Sequence, residues 1–186
     1  MQYYFQSASE WLRLAWESTP WARGGLLAVA IAAILLAVPA GKLMRSNPII
    51  VGLLLAAFGA VLVFTLTPQV RMYGDGHSCL MTLTKPTRSD LVEPTDISMN
   101  TLMLFPVGVL LMWLRPFIAV LAALFIALVL PFAVEYIQYA SPSLGRTCSF
   151  YDIATNELGL IVGAAIGLLV RIIYVAGRAL VRAVNR

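Results

Sequence analysis

Charge is scarce in this chain: 12% of the residues are Asp, Glu, Lys or Arg, whereas 60% are apolar. With so few charges there is no soluble basic domain and no basic patch interleaved with aromatics, which argues against nucleic acid as a partner. Histidine occurs once, at His77, so Ser141, Ser149 and Cys148 have no second imidazole to draw on as a general base. A serine or cysteine hydrolase is therefore disfavoured. Cysteine occurs twice, as Cys79 and Cys148. The first residues lack the basic start and small-residue cleavage site of a signal peptide, so the N-terminal segment is expected to be retained.

What is abundant is long apolar sequence, and that points to an all-α, polytopic membrane helix bundle. A spanning helix needs roughly 20 apolar residues for a hydrocarbon core about 30 Å thick. Residues 1–21 place Phe5, Ala8, Trp11, Leu12, Ala15 and Trp16 at helical spacing, which predicts an amphipathic helix in the headgroup region. About five transmembrane helices follow, near 23–41, 49–67, 100–114, 116–139 and from 149 onward. Gly52, Ala56 and Ala60 form a small-residue stripe on the second, and Ala119, Ala123 and Ala127 another on the fourth. The expected organisation is an N-terminal region over 1–60, a membrane domain over 61–169 and a basic tail over 170–186.

The third helix is short for a span and carries Pro106 and Gly108, so a re-entrant segment competes with a full crossing. Charge sorting favours the crossing. Five spans put Lys42, Arg45, Arg115, Arg178, Arg182 and Arg186 on one face, and the acids outside Glu135 on or near the other. That face of bare cations is expected to be cytoplasmic, with the N-terminus outside and the C-terminus inside a plasma membrane. Both cysteines then lie outside, where a Cys79–Cys148 disulfide would persist. Asp75, His77 and Cys79 alternate in the long loop, but a solvated turn explains them better than a metal site, and no metal or cofactor is expected.

Residues 135–167 carry the candidate site. Glu135, Gln138 and Tyr139 share a helix face near the end of the fourth apolar run; Arg146 follows in a polar turn. Asp152 and Asn156 then head a helix face continued by Gly159, Gly163 and Gly167. Ser149 and Asp152 have the spacing of a capping box. An ionisable residue at the depth of Glu135 is expensive to bury and reads by default as functional. The bland alternative is an ion pair with Arg146 that holds two helices together.

Four ordered patterns stand together: Leu66-Thr67-Pro68 at a helix end, Asn100 with Pro106 and Gly108, Glu135 with Gln138, and Arg146 with Asp152, Asn156 and Gly159. In this order the chain resembles the VanZ-like family of bacterial membrane proteins over about residues 61–169. Phe105 directly precedes Pro106, where that family often has a residue between, and the stretch from Gln138 to Arg146 is longer than usual. The resemblance implies a site of Glu135, Gln138, Arg146, Asp152, Asn156 and Asn100, and a link to resistance against teicoplanin, a lipoglycopeptide acting outside the cell. Three readings follow. Glu135 or Asp152 is a general acid or base acting on a membrane lipid or lipid-linked cell-wall precursor held by Arg146. Alternatively the same groups, with Tyr139 nearby, bind such a lipid or a lipoglycopeptide without chemistry. In the third reading the cluster only locks the helices, or the chain serves a partner. Oligomeric state is not legible in the sequence.

Overall fold

The computed structural model describes Arg13 and residues 16–69, 79–81 and 96–185, apart from the side chains of Asp96 and Ile97. The expected amphipathic helix over residues 1–21 and the trio at Asp75 and His77 fall largely or wholly outside the described residues. Among the described residues five α-helices form the bundle: α1 (Ala22–Leu43), α2 (Pro48–Leu66), α3 (Asp96–Leu111), α4 (Phe117–Ala140) and α5 (Phe150–Val184). Four of them, α1, α2, α4 and α5, are long and apolar enough to cross a membrane. The chain is thus a multi-pass membrane protein built as an all-α bundle.

Local chemistry sets the helix boundaries. Asn47 caps α2 by accepting from the Ile49 amide at 2.8 Å, and Pro48 occupies the first turn, where a missing N–H is harmless. At the other end Thr65 and Thr67 fold their hydroxyls back onto the carbonyls of Val61 and Val63, at 2.7 and 2.6 Å. Thr67 then leaves helical geometry ahead of Pro68. Glycines decide which helices touch. A β-carbon at Gly52 would press on Ala37 and one at Gly59 on Val29, so α2 lies against α1. Gly52, the first member of the expected small-residue stripe, is thus at the contact with α1, and Gly59 adds to it.

The closest approach in the bundle is between α3 and α5. Added methyl groups at Gly159, Gly163 and Gly167 would overlap the backbone of Thr101, Phe105 and Val109 in turn, and one at Gly108 would overlap that of Leu160. The partners rise together along both helices, so α3 and α5 run parallel. Beyond α3, the amide of Arg115 donates to Ser46 Oγ at 3.0 Å, which places the turn after α3 beside the α1–α2 turn. The helix therefore runs from the end of the bundle where α5 begins toward the end that holds the α1–α2 turn. Its length, about 24 Å for sixteen residues, falls short of a full hydrocarbon core of about 30 Å.

Between these helices sits an apolar core containing Val51, Leu54, Val61, Leu104, Val107, Leu111, Leu114 and Leu160. Ala119, Ala123 and Ala127 face it from α4, as their spacing predicts. Most of the remaining large apolar side chains point outward: Ile34, Leu35, Phe117, Phe125 and Ile173 are among those exposed. An outward apolar surface of that kind suits lipid rather than water.

Candidate functional site

One end of the bundle gathers the end of α2, the residue pairs β1 (Cys79–Leu80) and β2 (Cys148–Ser149), the turn 141–147 and the start of α5. The two short strands pair in parallel with Cys79 opposite Cys148 and Leu80 opposite Ser149. Their α-carbons are 4.5 Å apart, within the range a disulfide bridges. The turn is closed by a single 3-10 turn at Pro142–Leu144 and by Gly145, whose left-handed φ of 62° a side chain would resist. That reversal sends Arg146 back over the end of α2, and the Gln69 amide donates to the Leu144 carbonyl at 2.9 Å.

Arg146 and Gln138 do the same work there. The last carbonyls of a helix lack intrahelical partners and form the negative end of its dipole. Gln138 Nε2 donates to the Thr65 carbonyl at 3.0 Å. Arg146 Nε donates to the Thr67 carbonyl at 3.2 Å, and its Nη2 to that of Phe64. A cation and an amide from distant sequence therefore finish α2. Burial pushes the Arg146 guanidinium down to about 10, against the opposing pull of Glu135 and Asp152, so it stays cationic at neutral pH.

Glu135 acts at the opposite kind of helix end. Its Oε2 accepts from the Ser149 amide at 2.7 Å, so a buried carboxylate sits at the N-cap of α5, where the dipole is positive. The expected capping box is not formed: Ser149 is the N-cap residue, but its side chain makes no capping bond. Glu135, reaching in from α4, supplies the acceptor that the box would have supplied locally. Asp152 lies in the first turn of α5, near enough to act electrostatically on Arg146.

The structure thus brings Glu135, Gln138, Arg146 and Asp152 together at one end, with Glu135, Gln138 and Arg146 each bonded to a backbone group there. Asn156 lies one turn deeper, donating from Nδ2 to the Asp152 carbonyl at 2.8 Å. Asn100 is half-buried on α3, and Tyr139 is exposed on α4. The cavity at this level is about 10 Å³, bounded by Val61, Thr65, Leu104, Leu130, Pro131, Val134 and Asn156. It has no room for a headgroup. Among the described residues no group of three or more His, Cys, Asp or Glu side chains could hold a metal ion.

Two residues escaped the reading of the sequence. Arg171 falls in the stretch expected to be a basic tail, yet its Nη1 donates to the Met112 carbonyl and closes the end of α3 as Arg146 closes α2. The neighbouring Trp113 and Tyr174 rings lie 5.5 Å apart and brace the same junction. Glu157, on α5, has both carboxylate oxygens shielded from solvent and without a hydrogen-bond partner among the described residues. An acid at that depth in an apolar run was the available signal for it.

A multi-pass helical bundle whose polar side chains are drawn to one end and tied to helix termini defines the class of protein. Within that class the chain belongs to the VanZ/LLP1 family, whose model matches residues 26–171 and so takes in most of α1 as well as the motif-bearing helices. No curated protein and no solved structure matches it.

Proposed function

We propose that this VanZ/LLP1 protein acts in the cell envelope, in the glycopeptide-resistance setting its family is tied to, as a non-catalytic membrane protein whose polar cluster locks helix ends in place. The observation that carries this reading is the set of bonds from Arg146 and Gln138 to the Phe64, Thr65 and Thr67 carbonyls, together with the Glu135 bond to the Ser149 amide. Each tie removes an unmatched polar group that would be expensive near lipid. A general acid or base needs an open face and a substrate within hydrogen-bond reach; the oxygen of Glu135 that faces Ser149 is already engaged. In this reading the cluster end faces outside, the α1–α2 turn and the basic tail lie in the cytoplasm, and Cys79 and Cys148 are joined as a disulfide over the lock.

A second reading is favoured by one feature of Arg146. Two of its five N–H groups are engaged by α2 carbonyls, and a guanidinium so placed has further donors with which to meet an anionic group at the membrane surface, such as that of a membrane lipid, a lipid-linked wall precursor or a lipoglycopeptide. The carboxylates of Glu135 and Asp152 work against it, because they already balance the cation. Expression in a teicoplanin-susceptible bacterium separates the readings. A lock predicts that Arg146→Ala loses protection only in proportion to the folded protein it loses, and that Glu135→Gln retains both. A binding or catalytic site predicts fully folded variants that no longer protect, and lipids released from the purified protein would identify the ligand by mass spectrometry.

A further inference from the structure

The inner end of the site contains an acceptor that the lock does not use. Asn156 is 7% exposed and its Oδ1 has no hydrogen-bond partner among the described residues. The orientation of the amide is settled by its other end: Nδ2 donates to the Asp152 carbonyl, and rotating the group would set oxygen against oxygen. Asn156 lines the small cavity bounded by α2, α3, α4 and α5, and the other polar side chain on its wall is that of Thr65. Thr65 gives its hydroxyl proton to the Val61 carbonyl at 2.7 Å, which leaves the lone pairs of Oγ1 free to accept. The cavity therefore presents two acceptors and no matching donor.

We infer that this cavity is a binding site for one ordered water molecule, which donates one hydrogen to Asn156 Oδ1 and the other to Thr65 Oγ1 and so links α5 to α2. The size agrees, since about 10 Å³ is close to the least space that holds a water and too little for anything larger. The chemistry agrees as well. A water supplies two donors to two acceptors and brings no charge into a wall otherwise made of Val61, Leu104, Leu130, Pro131 and Val134. A metal cation would meet only two oxygen ligands and no balancing charge. Through the bond of Gln138 to the Thr65 carbonyl, the water joins Asn156 to the residues at the helix ends. Asn156 thereby acts as a positioning residue for α2.

The test is a high-resolution structure of the full chain in lipid, with Thr65→Val as the comparison. The expected result is a density peak about 2.8 Å from both Asn156 Oδ1 and Thr65 Oγ1, lost in Thr65→Val. A dry cavity, or an Asn156 amide turned onto a protein donor, overturns the inference. Thermal melts of Thr65→Val, Asn156→Leu and the pair provide a second readout in solution. A bridging water makes the two changes non-additive, with the second change shifting the melting temperature less than it does alone. Additive shifts in a structure without the peak contradict the bridge.

Discussion

Replacing Arg146 by Ala strikes the lock at its centre, and the size of the effect follows from its contacts. The change removes two charge-assisted bonds, one to the Thr67 carbonyl and one to that of Phe64, and leaves both oxygens at the end of α2 without that donor. Bonds to charged groups contribute about 1.5–3 kcal/mol each; because both contacts are partly buried, the lower figure applies and the sum is about 3 kcal/mol. Glu135 and Asp152 also lose the cation that faces them, which adds to the loss. For a chain of this size each kcal/mol moves the midpoint by roughly 2–4 °C, so the variant is expected to melt roughly 6–12 °C below the parent. The assay is a tryptophan-fluorescence melt in lipid nanodiscs. Arg146→Lys should fall between the two, because one ammonium does not reproduce the geometry of a guanidinium bonded through Nε and Nη2. A midpoint for Arg146→Ala within 2 °C of the parent would refute the reasoning, since it would mean that water or another group satisfies those carbonyls equally well.

Glu157→Leu is expected to raise the midpoint, because it removes a carboxylate whose oxygens are buried without partners; a fall of several degrees would show that the acid has a partner or a role in folding. Gly159→Ala and Gly163→Ala should sharply reduce folded yield, since each methyl group would meet the backbone of α3, whereas Gly177→Ala, with nothing within 4 Å, should leave it unchanged. Equal yields for all three would contradict the close contact of α3 and α5. Intact-mass analysis after alkylation should find no free thiol in protein taken from an oxidising compartment. Reduction should then lower the midpoint, because a closure spanning 69 residues stabilises by about 2–4 kcal/mol.

The sequence was informative where periodicity and composition carry the structure. Ala119, Ala123 and Ala127 do face the core, and Gly159, Gly163 and Gly167 do form one seam, because a helix repeats its faces at separations of three and four residues. The sorting of Arg115 and the acids led to the expectation that α3 runs between the two ends of the bundle, and the bond of the Arg115 amide to Ser46 fits that course although α3 is short for a span. The partners of the polar groups were not. Side-chain spacing placed Glu135, Gln138, Arg146 and Asp152 at one end, but it carries no information about which backbone groups there lack partners. Those are the carbonyls of Phe64, Thr65 and Thr67, some seventy residues or more away in sequence from the side chains that bond them. The same blindness hid the bond of Arg171 to the Met112 carbonyl and gave Asp152 the role of accepting from the Ser149 amide, which belongs to Glu135. Local patterns describe what a residue can offer; only the folded backbone shows which groups need it.

The central claim, that the cluster is a lock made of acceptors and donors rather than a reactive carboxylate, is tested most directly by comparing Glu135→Gln with Glu135→Ala in the same nanodisc melt. The amide oxygen in Glu135→Gln can still accept from the Ser149 amide, whereas Glu135→Ala leaves that buried N–H without an acceptor. The lock predicts that Glu135→Gln melts within a degree or two of the parent and still protects cells, and that Glu135→Ala falls by about 1–3 kcal/mol, or several degrees. A Glu135→Gln variant that folds like the parent but abolishes protection would contradict the account and return Glu135 to the role of a general acid or base.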